Sequence, residues 1–315
     1  MFLSVGVRFE ANVEALNMVE TAGNYSKHRR VPYLVEEDGK LKTVYVPALS
    51  GENLAHAYQE HLAREALSLN LPVCDDCRRG EFYKSMNRVH LEKKVSPIPG
   101  EPAKIEEAIV KACVVEDVGG FLYAENPPVR RSSAFQVSYA LPVKSMALFA
   151  TSEPQLHARH AQMDSSSKKG NASEQMIYYV EIGTALYGFT FNLDLDAIGV
   201  SAITSEPILD ENEIKARRDA AVKALFRMLS SAQFGAKLSR FFPVGGIKEV
   251  AVAVTEHPFV VTSPIYDDYI LKTERRLKVL KDFGEDYLFT AATEDRVPEE
   301  ALKETVEYLK QKGAL

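Results

Sequence analysis

At 315 residues, with 46% hydrophobic and 26% charged side chains, the chain has an ordinary globular composition and enough length to bury a substantial core, as one large domain or a main domain with insertions. A net charge of −6 argues against a free-standing, non-specific nucleic-acid binder, and no run approaches the roughly 20 apolar residues of a membrane span. Residues 1–10 alternate and carry Arg8 within their apolar run, unlike a secretory leader, and three cysteines do not suggest a disulfide framework; the expectation is a soluble, cytoplasmic protein with no membrane partner.

In chain order, Leu3, Val5, Val7 and Phe9 fall on one face of an opening strand, because side chains alternate along extended backbone. Residues 17–30, N-M-V-E-T-A-G-N-Y-S-K-H-R-R, then set Lys27, His28, Arg29 and Arg30 side by side. Such groups repel unless water or an anion screens them, and a solvated charge run is the plain reading of this cluster alone. Residues 31–36 and 41–47 are β-prone and flank Glu37-Asp38-Gly39-Lys40, a hairpin signal because glycine accepts positive φ cheaply. Ser50 reads as the N-cap of a helix with Leu54, Tyr58, Leu62 and Ala66 on one face, ending near Asn70-Leu71-Pro72. Its first turn, with Asn53, is a candidate anion site, since free N–H groups point outward there. Residues 73–104, broken by Gly80, Pro97, Pro99, Gly100 and Pro102, read as an excursion from the core.

Gly119 and Gly120 permit close backbone approach, by a ligand or by a neighbouring strand. The stiff turn P-P-V-R-R-S-S delivers Arg130 and Arg131 into a strand ending near Leu141. Residues 151–173 are polar, with a basic tip holding Lys168 and Lys169, and read as a flexible loop. Residues 176–193 read as a long aromatic strand. The next helix is capped by Asp210 and Glu213, striped by Ile214, Ala221, Leu225 and Leu229, and stopped by Gly235. Lys237, Ser239 and Arg240 follow in a basic loop leading to Gly245-Gly246, and a strand with Val250, Val252 and Val254 in phase comes after. Acid concentrates beyond it, since residues 282–307 hold nine Asp or Glu against Arg296 and Lys303. With insertions removed the order is βαββαβ, the α+β ferredoxin-like arrangement shared by RNA-recognition-motif domains.

Cys74-Asp75-Asp76-Cys77 is half of a zinc site, whose other half would have to come from Cys113 and a histidine such as His90; without a second C-x-x-C, no metal or cofactor is assigned. His157 and His160, three apart, share one face if helical and suit a metal, acid–base chemistry, or contact with phosphate and bases. In so polar a segment, exposed inert histidines are the plain reading. No nucleophile elbow, Walker loop, H-E-x-x-H or dinucleotide fingerprint occurs at a usable place. What remains is a distributed basic set at 27–30, 130–131, 168–169 and 237–240, mostly beside small residues or hydroxyls that can admit and hydrogen-bond a phosphate. Aromatic residues are sparse among them, so a nucleic acid bound here is held by its backbone rather than by stacking.

The strings S-V-G-V-R-F-E-A-N-V-E-A-L-N-M-V-E-T-A-G-N-Y-S-K-H-R, P-A-L-S-G-E-N-L-A-H-A-Y, D-V-G-G-F-L-Y with P-V-R-R-S-S, and F-G-A-K-L-S-R-F-F-P, in that order, resemble the backbone subunit of archaeal type I-A CRISPR interference (Cascade) complexes, from the N-terminus to about Tyr269. The resemblance implies an RNA-recognition-motif palm (residues 1–70, 105–145 and 175–255), a finger-like insertion at 71–104, a thumb-like insertion at 146–174 and a C-terminal acidic extension at 256–315. It also implies a non-catalytic protein whose copies stack head to tail along CRISPR RNA, present it for pairing with a target DNA strand, and join other subunits of an interference complex. Matched residue by residue, Asn17, Lys27, His28 and Arg29 fall in the family's palm loop, with Arg30 beside them. Ser50 and Asn53 match the helix start, Arg130 and Arg131 the region after the Gly119-Gly120 pair, and Lys237, Ser239 and Arg240 the late basic loop. His160, Lys168 and Lys169 go with the thumb. A CRISPR-processing endoribonuclease with His28 or His160 as base is the alternative, and a protein-only scaffold a third.

Overall fold

Alternation at the N-terminus becomes strand β1 (Phe2–Glu14), whose Leu3, Val5, Val7 and Phe9 are fully buried on one face. The computed structural model describes residues 1–14, 18–22, 24–83, 86–160, 175–234 and 246–315, with the backbone alone at 12–14, 18–22, 159–160 and 175–176. Strands β2 (Met18–Ala22) and β3 (Tyr25–His28) follow, then the hairpin of β4 (Arg30–Glu37) and β5 (Lys40–Pro47). Asp38 at φ 53° and Gly39 at φ 71° both take the positive φ that a two-residue hairpin turn requires. Helix α1 (Gly51–Ser68) starts at Ser50, whose hydroxyl accepts the Asn53 N–H at 3.3 Å, and buries Leu54, Tyr58, Leu62 and Ala66.

The excursion expected at 73–104 is part of a small lobe. Helices α2 (Asp75–Arg78), α3 (Arg88–Lys94), α4 (Pro102–Ala112) and α5 (Val114–Gly119) precede a two-stranded sheet of β6 (Phe121–Tyr123) and β7 (Val129–Arg131). Met86, Leu91, Ile105, Ile109, Phe121 and Tyr123 form its separate core. Helices this short leave no readable period in sequence.

In the main sheet, β8 (Phe135–Val137), β9 (Leu141–Pro142) and β10 (Thr151–His160) lie end to end along one side of the long β11 (Gln175–Asp194). β1 runs antiparallel along the other side, from Phe2 opposite Asp194 to Glu14 opposite Ile182. β12 (Ile247–Thr255) pairs with the free edge of β1, and β13 (Tyr287–Ala292) lies beyond it. The order β13–β12–β1–β11–β8 is therefore antiparallel at every step. Through His160, the polar stretch expected as a loop is strand instead, its register running from Thr151 opposite Thr184 to His160 opposite Gln175. Most of its described side chains are exposed, so ladder hydrogen bonds rather than an apolar face hold it.

Helix α6 (Glu211–Ser231) packs beside α1 on the buried face of the sheet, where the Tyr58 hydroxyl donates to the Ala221 carbonyl at 3.1 Å. Asp210 accepts the Glu213 N–H at 2.9 Å as expected, but the Glu213 carboxylate turns to Arg217 at 2.6 Å instead of closing the capping box. Ala232 at φ 51° ends the helix, ahead of Gly235, which lies outside the described residues.

Residues 256–315, expected as an acidic extension, build on both faces of the sheet. Helix α7 (Tyr269–Asp282) and the strap at 259–268 cover the far side of β1. There Ser4 Oγ accepts the Val261 N–H at 3.0 Å, and Arg8 donates to the carbonyls of Pro264 and Tyr266, both at 2.7 Å. Helix α8 (Pro298–Gln311) returns to the first face, where Leu302 and Leu309 join the core of α1 and α6. No described helix is long and apolar enough to cross a membrane.

Candidate nucleic-acid interface

The strap closes the second face of the sheet over β1 and β11: a Cβ on Gly6 would lie 3.2 Å from the Tyr269 ring, and one on Gly188 only 2.9 Å from Pro264. Over these two strands the face is thus occupied by the protein's own chain. At the rim, the Ala48 N–H donates to the Arg29 carbonyl at 2.9 Å, and Leu49 bridges to Ala140. These bonds draw the start of β4, the start of α1 and the β8–β9 connection together. Gly51 permits the last contact, since a Cβ there would sit 2.6 Å from the Val137 carbonyl.

The Arg29 guanidinium lies over the Tyr139 ring, 6.0 Å from its centroid. At the start of α1, which the Ala48 and Leu49 bonds tie to these two segments, the first-turn N–H groups of Gly51 and Glu52 stand outside the intrahelical ladder. Ser50 is buried and its hydroxyl is engaged in capping, whereas Asn53 Oδ1 is a buried acceptor without a donor among the described residues. The segments joined here thus carry a cation, an aromatic face, backbone donors and an orphan acceptor. The sequence singles out Arg29, Ser50 and Asn53 but not Tyr139, whose place depends on the Leu49–Ala140 bridge.

The basic run at 27–30 is not one patch, because successive strand residues point to opposite faces. Lys27 and Arg30 are exposed, and Arg30 donates to the Tyr45 carbonyl at 2.8 Å. His28 is 3% exposed. Its N–H donates to Glu181 Oε2 at 2.8 Å, its Nδ1 lies 2.9 Å from the Arg29 carbonyl oxygen, and its Nε2 packs on Gly183, where a Cβ would approach to 2.9 Å. Burial holds its pKa below the ordinary histidine value, so the ring is neutral and enclosed. That corrects the expectation of His28 as a phosphate contact, and equally its alternative role as a base.

Arg130 and Arg131 also part company. Arg130 is exposed on β7, opposite Leu122. Arg131 is buried, with Nη2 at 2.5 Å from Asp117 Oδ1, Nη1 at 2.9 Å from Glu106 Oε1, and further bonds to the carbonyls of Asp117, Ala197 and Val200. The fully buried Arg217 closes this network at 3.0 Å from Asp117 Oδ2. Arg131 is thus an internal tie and leaves the RNA-binding set. The glycine pair serves the same packing: Gly119 is buried at the end of α5, and a Cβ on Gly120 (φ 71°) would sit 2.6 Å from the Arg131 carbonyl and the Ser133 nitrogen. The close approach is by a neighbouring strand, not by a ligand.

Over residues 5–274 the chain matches the family model described as CRISPR-associated negative auto-regulator DevR/Csa2. It belongs to the DevR/Csa2 family of CRISPR-associated proteins. Among its DevR/Csa2-type relatives, the CRISPR-associated aCascade subunit Cas7/Csa2 2 of Saccharolobus solfataricus is 37% identical over 283 residues, which span 87% of this chain and 86% of the relative. The CRISPR-associated protein Cas7/Cst2/DevR of Methanocaldococcus jannaschii is 29% identical over 305 residues, spanning 90% and 91%. A chain of a solved CRISPR RNA-guided surveillance complex, pre-nicking, shares the fold with a TM-score of 0.52 at 13% identity, covering 93% of this chain and 92% of that one. The DevR/Csa2 match ends within α7, so β13 and α8 lie beyond it.

Other expected site residues of this DevR/Csa2-family chain fall elsewhere. Asn17, Lys168, Lys169, Lys237, Ser239 and Arg240 lie outside the described residues. His157 and His160 lie in strand β10, not in a helix, so the helical spacing that would pair them on one face does not arise. The His157 ring stacks on Tyr178 with centroids 5.1 Å apart, and Tyr25 faces Tyr179 at 5.9 Å where β3 joins β11. Strand register, not sequence proximity, assembles these ring pairs, so no local sequence pattern marks them. Cys74, Cys77 and Cys113 converge, with all three sulfurs within 4.8 Å of one another, while His90 turns away to Asn87 Oδ1 at 2.7 Å.

Proposed function

We propose that this chain is a non-catalytic, CRISPR RNA-binding backbone subunit whose copies stack head to tail along a guide and present it to a target DNA strand. The observation that carries the reading is the family match over residues 5–274, together with a 37%-identical relative that is an aCascade subunit and of which 86% is covered. The antiparallel order β12–β1–β11–β8, with α1 and α6 on one face, supports a ferredoxin-like, RNA-recognition-motif palm at 1–70, 105–145 and 175–255, less α4, β6 and β7, which pack in the small lobe's own core. Residues 71–104 serve as the finger together with α4, β6 and β7 of the same lobe, and the β10–β11 ribbon carries the thumb at 146–174.

Because the strap covers the sheet, the guide runs along the rim. Lys27, Arg29, Arg30 and Arg130 meet its phosphates, joined by Asn17, His160, Lys168, Lys169, Lys237, Ser239 and Arg240, and Asn53 Oδ1 suits a ribose hydroxyl. Contacts of this kind bind any sequence alike and leave selection to base pairing. Burial of His28 removes one of the two candidate bases of the endoribonuclease reading. The protein acts in the cytoplasm, in company with other subunits of the interference complex.

The Lys237→Ala/Arg240→Ala double variant tests the reading in salt-dependent filter binding. Affinity should fall for every spacer alike, and the salt slope should flatten by about two, one phosphate contact per lost cation. Loss confined to particular spacers would mean that this loop reads bases, and an unchanged slope would remove it from the interface.

A further inference from the structure

The small lobe contains a convergence that its role beside RNA does not use. Cys74 immediately precedes α2, Cys77 lies within α2, and Cys113 is the single residue between α4 and α5. Segments almost forty residues apart in sequence thus bring three sulfurs within 4.8 Å of one another. Cys77 and Cys113 are buried and Cys74 is half-buried. Their surroundings are charged as well as apolar: Cys77 Sγ lies 3.7 Å from Glu116 Oε1, Glu116 pairs with the Lys94 ammonium at 2.6 Å, and Lys94 reaches Asp76 at 3.8 Å. Glu116 is 4% exposed and the Lys94 side chain only 2%.

We propose that Cys74, Cys77 and Cys113 bind a structural Zn²⁺ ion, with the Glu116 carboxylate as fourth ligand. Tetrahedral zinc with Zn–S bonds of about 2.3 Å sets its sulfurs about 3.8 Å apart, so these need to close by about 1 Å at most, within reach of side-chain rotation. The Cys74-x-x-Cys77 spacing is that of a structural zinc loop, with Cys74 immediately ahead of α2 and Cys77 inside it. Three thiolates and a carboxylate around Zn²⁺ leave a charge of −2. Lys94 stands beside the carboxylate to offset half of it. The three thiol protons pass to solvent on binding. The ion joins the segment after α1 to the α4–α5 junction, so it fastens the lobe to the main body. His90, the nitrogen ligand expected from sequence, has no part in the site.

The full-length protein, purified without added metal, is assayed for zinc by plasma mass spectrometry. It is then stripped with a chelator and titrated with Co²⁺. About one zinc per chain is expected, and Co²⁺ should bring up a sulfur-to-cobalt charge-transfer band with the intense visible bands of four-coordination. Wild-type protein stripped of zinc should melt at a lower temperature and recover on re-addition, a readout that does not depend on any variant folding. Cys74→Ser should lose stoichiometric metal. Glu116→Gln should keep the charge-transfer band while binding Co²⁺ more weakly. Metal-free protein whose three thiols all react, protein with a single reactive thiol and hence a disulfide, or stripped protein that gains no charge-transfer band with Co²⁺ would each overturn the proposal.

Discussion

Arg130 and Arg131 are adjacent and equally charged, yet strand alternation gives them opposite work. Arg130 faces solvent, while Arg131 is surrounded by Asp117, Glu106 and three carbonyls. Removing Arg131 leaves the buried Glu106 carboxylate without a cation and Asp117 with Arg217 alone, so Arg131→Ala should cost about 3–5 kcal/mol in urea unfolding. Arg130→Ala should stay within about 0.5 kcal/mol but weaken RNA binding and lower its salt slope by about one. Equal stability losses in the two variants would contradict this division. The sequence offered both as phosphate contacts because a basic dipeptide does not reveal which residue meets a buried acid more than ten positions away. Ser50 and Asn53, by contrast, were legible because capping is a local pattern.

Elements with an apolar period were legible: β1, the β4–β5 hairpin, α1, α6 and β12 all form where alternation, caps or a turn signal mark them. β10 was not, since a strand exposed on both faces carries no apolar stripe. The strap was hidden for a related reason, because Ser4, Gly6 and Arg8 look like a solvent face until the carbonyls of Pro264 and Tyr266 arrive over them. Packing between elements also sets a pH dependence. His28 sits where β3 and β5 meet β11, wedged near Gly183 and Pro47, and burial lowers its pKa. Below the ordinary histidine value of about 6.5 the unfolded chain takes up a proton that the native ring refuses, so stability is level above that pH and falls as pH drops towards the lowered native value. His28→Asn, which can keep a donor to the Arg29 carbonyl, should show a shallower decline in acid melting curves. Part of the slope should remain through His61, whose pKa burial also lowers. A decline as steep as that of the parent protein would show that His28 is not its source.

For the molecule as a whole, net charge of −6 and RNA binding are compatible because charge is segregated: nine acids against two bases lie in residues 282–307, while the basic clusters come earlier in the chain. In the proposed head-to-tail stack the acidic region of one copy would meet the basic region of the next, a heterologous contact that does not close and would be limited by guide length. The most direct measurement is the number of chains bound per RNA, read by light scattering during size-exclusion chromatography with CRISPR RNAs of increasing spacer length. The account predicts that chains are added in even steps as the spacer grows, whatever its sequence. A single chain per RNA at every length, or no binding at low salt, would contradict it.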